Sequence, residues 1–160
     1  MAVVYLLKPQ TGVDGMPQQP DIPLTSILLI DPSKFQRAYW TDQLKRCSTF
    51  YEILEASDGQ SGMDLYRTRR INCVVLELAM PDDSGFPTLI QLVPIASRPQ
   101  VPVIVLTEIP YPAVWEVAKQ NGAFACLAKK VTTGEELDGT IQRAIAFVGQ
   151  MPKEERFPPI

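Results

Sequence analysis

The 160-residue chain contains no histidine. That absence excludes catalytic triads built on imidazole, histidine metal sites and a phosphohistidine carrier. Cysteine is scarce: Cys47, Cys73 and Cys126 are odd in number and show no CxxC spacing. Neither a disulfide framework nor a zinc site is supported, and reduced thiols in a cytoplasmic protein are expected. Long hydrophobic runs are also missing, since none approaches the roughly 18 apolar residues of a membrane span. The opening MAVVYLLK lacks the basic start, the longer apolar core and the cleavage site of a secretion signal. Positive charge is not in excess either. The net charge is −3, and the basic group Arg67, Arg69, Arg70 is small enough to be the solvated end of a helix. Neither nucleic acid nor a membrane is therefore expected as a partner.

Proline is plentiful and marks the ends. Residues 1–24 carry Pro9, Pro17, Pro20 and Pro23 with Gly12 and Gly15, which favours an irregular extension. Its exception is AVVYLL at 2–7, suited equally to a sheet edge or partner and to a frayed terminus. Residues 150–160 hold Pro152, Pro158 and Pro159 and are expected to be a tail or linker. Residues 25–149 remain as one domain, a length that supports a single core.

Within that domain, short apolar runs alternate with amphipathic ones. Strands are expected at 26–30, 51–56, 72–78, 101–107 and 123–128, and helices at roughly 33–47, 58–70, 84–96, 111–121 and 132–149. Pro94 should end or kink the third helix early. Thr132 and Glu135 are spaced as a capping box for the last helix. Val114, Val117 and Ala118 should turn toward the sheet, leaving Trp115 partly outward. Five strands, four of them near-continuous in apolar side chains, alternating with five helices indicate an α/β fold with a parallel sheet covered on both faces. Such sheets place their ligand sites along the carboxyl edge of the strands. Asp31, Glu77, Thr107 and Lys129 all fall there.

Four segments, LLIDPS (28–33), VVLELAMPDDSG (74–85), VIVLT (103–107) and NGAFACLAKK (121–130), give the chain its family likeness. In their order and spacing they resemble the receiver domain of bacterial two-component response regulators. The resemblance implies a flavodoxin-like, doubly wound five-stranded parallel sheet of order 2-1-3-4-5. It also implies a site in which an acidic pair and a phosphoacceptor aspartate bind Mg²⁺, while a hydroxyl and a lysine contact the phosphoryl group. Asp31 matches the first acid, Thr107 the hydroxyl and Lys129 the lysine. Pro32 stands at the second acid, Glu77 at the phosphoacceptor, Cys126 at an aromatic that changes rotamer, and Lys130 at a proline.

These departures set the functional expectation. Pro32 offers no side-chain ligand, and the extra methylene of Glu77 moves its carboxylate roughly 1.5 Å outward, so the Mg²⁺ site is expected to be degraded and no cofactor is expected. From that position Glu77 is placed to meet Lys129 and Thr107 as a partial phosphate mimic. Cys126 is too small to gate, and Pro110 and Pro112 should stiffen the loop around Tyr111. The expected role is a non-enzymatic, degenerate receiver that signals through protein contacts independent of phosphorylation. Its partners would be a histidine kinase or an output protein, with self-association open through the face of the fourth helix, fifth strand and fifth helix. Tyr111 and Trp115 are the anchors expected on that face. Two alternatives remain: a working phosphoacceptor using Glu77, Asp82 or Asp83, and a flavodoxin-like cofactor enzyme. The loop DPSKF has no glycine to cradle a cofactor phosphate, which disfavours the latter.

Overall fold

The computed structural model of the chain describes residues 22–151. The expectation for AVVYLL, and most of that for the C-terminal tail, lies outside these residues. Ten elements alternate in chain order: β1 (Thr25–Ile30), α1 (Lys34–Cys47), β2 (Tyr51–Ala56), α2 (Gly59–Thr68), β3 (Cys73–Leu76), α3 (Gly85–Leu92), β4 (Val103–Thr107), α4 (Pro112–Gln120), β5 (Ala125–Ala128) and α5 (Gly134–Gly149). The strands form one parallel sheet of order β2-β1-β3-β4-β5. This is the expected flavodoxin-like topology, reversing at β1, which lies between β2 and β3.

Side-chain alternation divides the core into two layers. Leu28, Ile30, Val74, Leu76, Val103 and Val105 face α2, α3 and α4, where Met63, Leu89, Leu92 and Ala118 meet them. Ile27, Leu29, Cys73, Val75, Ile104 and Leu106 face α1 and α5, against Trp40, Leu44, Leu137, Ile141 and Ala144. All of β3 and β4 is buried, which is why those segments read as continuous apolar runs; the edge strands β2 and β5 are only partly covered.

Local signals explain most boundaries. The α3 helix ends at Leu92, two residues before Pro94, as the proline requires. Pro112 occupies the first turn of α4, where its missing N–H costs nothing. Two expectations are corrected. The cap of α5 is Thr133, whose hydroxyl accepts from the Glu136 N–H at 3.1 Å, while Thr132 turns back to donate to the Ala128 carbonyl at 2.7 Å. The neighbouring threonine offers the same chemistry one residue later, and the backbone of the β5–α5 connection decides between them. Val117 is 45% exposed rather than facing the sheet, because Ala118 and Val114 already fill the inward face of the short α4 helix.

Gly85 opens α3 beneath the loop that follows Glu77. A Cβ there would lie 2.1 Å from the Leu78 carbonyl oxygen, so any side chain must push backbone against backbone. Gly85→Ala is expected to lower the unfolding free energy by about 1–3 kcal/mol in a urea titration. An unchanged midpoint would mean that this loop yields freely.

Candidate functional site

The four polar residues expected at the carboxyl edge are held by strand hydrogen bonds. The Asp31 N–H donates to the Ala56 carbonyl at 3.0 Å, the Glu77 N–H to Ile30 at 2.9 Å and the Lys129 N–H to Thr107 at 3.0 Å. Thr107 is itself the last residue of β4. Each side chain therefore starts from backbone fixed by the sheet, and the structure brings all four together. Asp31, Glu77 and Thr107 are buried, and the Lys129 side chain is only 7% exposed.

Glu77 sits at the centre. Its Oε1 accepts from the Thr107 hydroxyl at 2.5 Å and the Ala79 N–H at 2.8 Å. Its Oε2 accepts from the Glu108 N–H at 3.1 Å and faces the Lys129 Nζ at 2.9 Å. A carboxylate offers about four lone-pair positions, and four donors occupy them. Thr107 is fixed in turn, because its oxygen accepts from the Ile109 N–H at 3.0 Å. The hydroxyl proton is thereby left to Glu77.

Lys129 bridges two acids, with its Nζ 2.6 Å from Asp31 Oδ2 as well. Burial works most strongly against the ammonium, yet its bonds to Asp31 and Glu77 together outweigh that and hold it above its ordinary value. The cluster contains two carboxylates and one ammonium, so hydrogen bonds must satisfy what charge pairing leaves over. The Ser33 N–H supplies one, donating to Asp31 Oδ1 at 2.8 Å. Arg37 donates to the Asp31 carbonyl at 2.6 Å and pairs with Glu55 at 3.2 Å, tying α1 to the strand end. Sequence reasoning missed Arg37, Ser33 and the Ala79 and Glu108 amides. Backbone donors carry no residue signature, and Arg37 is six positions from the group it binds.

The resemblance implies Mg²⁺ here, and the geometry tests whether these residues suit it. The ion takes near-octahedral oxygen ligands at about 2.0–2.1 Å. Glu77 has no lone-pair position left over, Asp31 has one oxygen on an ammonium, and Pro32 supplies no side-chain oxygen. In this arrangement the residues do not fit the ion. A shallow cleft of about 180 Å³ remains above them, walled by Pro32, Gln36 and Glu108. Asp82 and Asp83 do not line it. Both are exposed in the β3–α3 loop, where Asp82 accepts from the Ser84 N–H at 3.1 Å and Asp83 turns the chain at a φ of 57°.

The aromatic residues expected on the α4 face differ in role. Tyr111 is 65% exposed at the start of α4. Trp115 is half-buried, and its indole N–H donates to the Ile109 carbonyl at 2.9 Å, stitching α4 to the loop after β4. Cys126 lies beneath, its thiol donating to the Trp115 carbonyl at 3.5 Å, and burial pushes that thiol up to about 11.

Comparison with known proteins gives a consistent result. Residues 27–142 match the family model described as the response regulator receiver domain. Protein PilH of Pseudomonas aeruginosa is 30% identical over 125 residues, covering 77% of this chain and 99% of that protein. Among solved structures, a response regulator receiver domain protein from Clostridium thermocellum superposes with a TM-score of 0.66 at 26% identity, covering 78% of this chain and 96% of its own. The signal receiver domain of a DNA-binding response regulator from Colwellia psychrerythraea superposes at 0.68 with 23% identity, covering 76% and 98%. The latter likeness shows the fold alone.

Proposed function

The chain belongs to the response regulator receiver domain family, and from that premise we propose that it is a degenerate receiver acting through protein contacts without being phosphorylated. Receiver domains are signalling modules that meet histidine kinases and output domains. In this reading, the chain keeps the recognition surfaces and lacks the chemical relay. Residues 25–149 form the module, with an extension before it and a tail or linker after it.

The observation that supports this reading is the saturation of Glu77. Its carboxylate draws on the Thr107 hydroxyl, the Lys129 ammonium and two backbone amides, so it behaves as an anion bound within its own pocket. A carboxylate with four partners is a poor nucleophile, because attack would require giving up at least one of them. The cation site that should assist transfer is degraded in the same reading, since Pro32 and Glu77 replace its ligands. The mimicry is partial: one negative charge stands where a phosphoryl group would bring roughly two.

On this proposal the α4–β5–α5 face is the surface offered to a partner. Tyr111 is the outward anchor there, and Trp115 holds the loop in place. Incubation with acetyl phosphate or beryllofluoride in the presence of Mg²⁺ is expected to leave the intact mass and the amide spectrum unchanged. Stoichiometric, Mg²⁺-dependent addition of one phosphoryl group, at Glu77, Asp82 or Asp83, would establish the working-phosphoacceptor reading instead.

A further inference from the structure

A second concave surface lies at the opposite end of the sheet from Glu77. There the α3–β4 loop, the α4–β5 turn and the last turn of α5 enclose a groove of about 360 Å³. Phe124 and Phe147 line it, with ring centroids 5.7 Å apart and planes tilted by 48°. Pro99, Pro102, Val148 and Met151 line it as well. Phe147 is 53% exposed although it sits on the longest helix, so a large apolar ring is left facing water. A Cβ at Gly122 would lie 2.5 Å from Val93, at a φ of +97°, so the turn beside the groove is closely packed.

The chain itself continues from this groove. Met151 lines it, and the next nine residues are PKEERFPPI. Five residues, 152–156, separate Met151 from Phe157. Extended, they span at most roughly 18 Å at about 3.3–3.6 Å each, which is enough to turn back over a cavity that begins at their own attachment point. The segment FPPI is the apolar part of the tail, and consecutive prolines favour the extended polyproline conformation with little entropy left to lose. Proline-rich segments dock on aromatic-lined grooves for this reason. We propose that this groove is the docking site of the chain's own C-terminal segment, with Phe157 and the Pro158–Pro159 pair laid against Phe124 and Phe147. Such docking covers the exposed ring of Phe147 and fixes the direction in which the chain leaves α5. It is independent of the reading of the Glu77 pocket.

The test is amide NMR on the full chain and its Phe157→Ala variant, a substitution outside the packed core. In the unsubstituted protein, residues 156–160 with observable amides should show backbone order parameters near about 0.8, falling below about 0.6 in Phe157→Ala. The resonances of Gly122, Phe124 and Phe147 should move between the two proteins, at positions independent of protein concentration. Phe147→Ala should release the tail in the same way. Order parameters below about 0.6 in the unsubstituted tail, with unmoved groove resonances, would overturn the proposal. So would shifts that grow with concentration, which would assign the groove to a second copy.

Discussion

Lys129→Met should lower the unfolding free energy by about 3–5 kcal/mol at pH 7, the usual cost of removing one member of a buried ion pair. The side chain is nearly the same length, so the change removes charge more than volume. What remains is Asp31 and Glu77, both buried, without the ammonium that lies 2.6 and 2.9 Å from them. Glu77 keeps three donors and Asp31 keeps the Ser33 N–H, which tempers the loss. For a domain with roughly 5–15 kcal/mol in hand, a deficit of this size is a substantial fraction of the total. It should appear as a fall in melting temperature on the order of 10 °C.

The pH dependence separates this account from a simple packing defect. Lys129 is held above its ordinary 10.5 in the folded chain. A raised cationic group stabilises fully below its unfolded value, and the contribution disappears as pH rises through the folded one. The difference between the parent protein and Lys129→Met should therefore be flat near neutrality and shrink above about pH 10.5. Urea midpoints from pH 7 to about 11 measure that decline. A deficit below about 1 kcal/mol, typical of solvent-screened pairs, would show that water does the work assigned here to Lys129.

Much of this site could be read from the chain because strand ends are legible. Continuous apolar runs located β1, β3 and β4, and the first polar residue after each run had to fall at the carboxyl edge; Asp31 and Glu77 follow from that rule alone. Thr107 and Lys129 follow from it likewise, at the ends of β4 and β5. The contact of Lys129 with Asp31 did not, since the sequence suggested only its pairing with Glu77. Which of two acids a flexible amine reaches depends on angstrom-scale placement of three strands. The amides of Ala79 and Glu108 were equally invisible, because every residue but proline carries one. The Thr132 and Thr133 pair marks another limit: equivalent neighbouring caps are decided by the loop that delivers them.

Glu77→Asp alone should leave the chain unlabelled by acetyl phosphate, although it restores the residue type the family uses as acceptor. Shortening the side chain by one methylene withdraws the carboxylate roughly 1.5 Å. That strands the Thr107 hydroxyl, the Lys129 ammonium and the two amides around a space an anion could enter. The donors are then arranged for a phosphoryl oxygen, but phosphoryl transfer depends on positioning together with neutralisation of charge between two anions. Asp31, with Lys129 2.6 Å away, and the shortened carboxylate at 77 still lack the second acid of the set that holds Mg²⁺. Pro32→Asp adds the missing acid beside Asp31. The Glu77→Asp, Pro32→Asp double variant is therefore expected to label in a Mg²⁺-dependent way, at least about 100-fold faster than either single variant. Intact-mass time courses with and without Mg²⁺ measure this directly. Robust labelling of Glu77→Asp by itself would place the block in the length of one side chain, and the role given to Pro32 would be wrong.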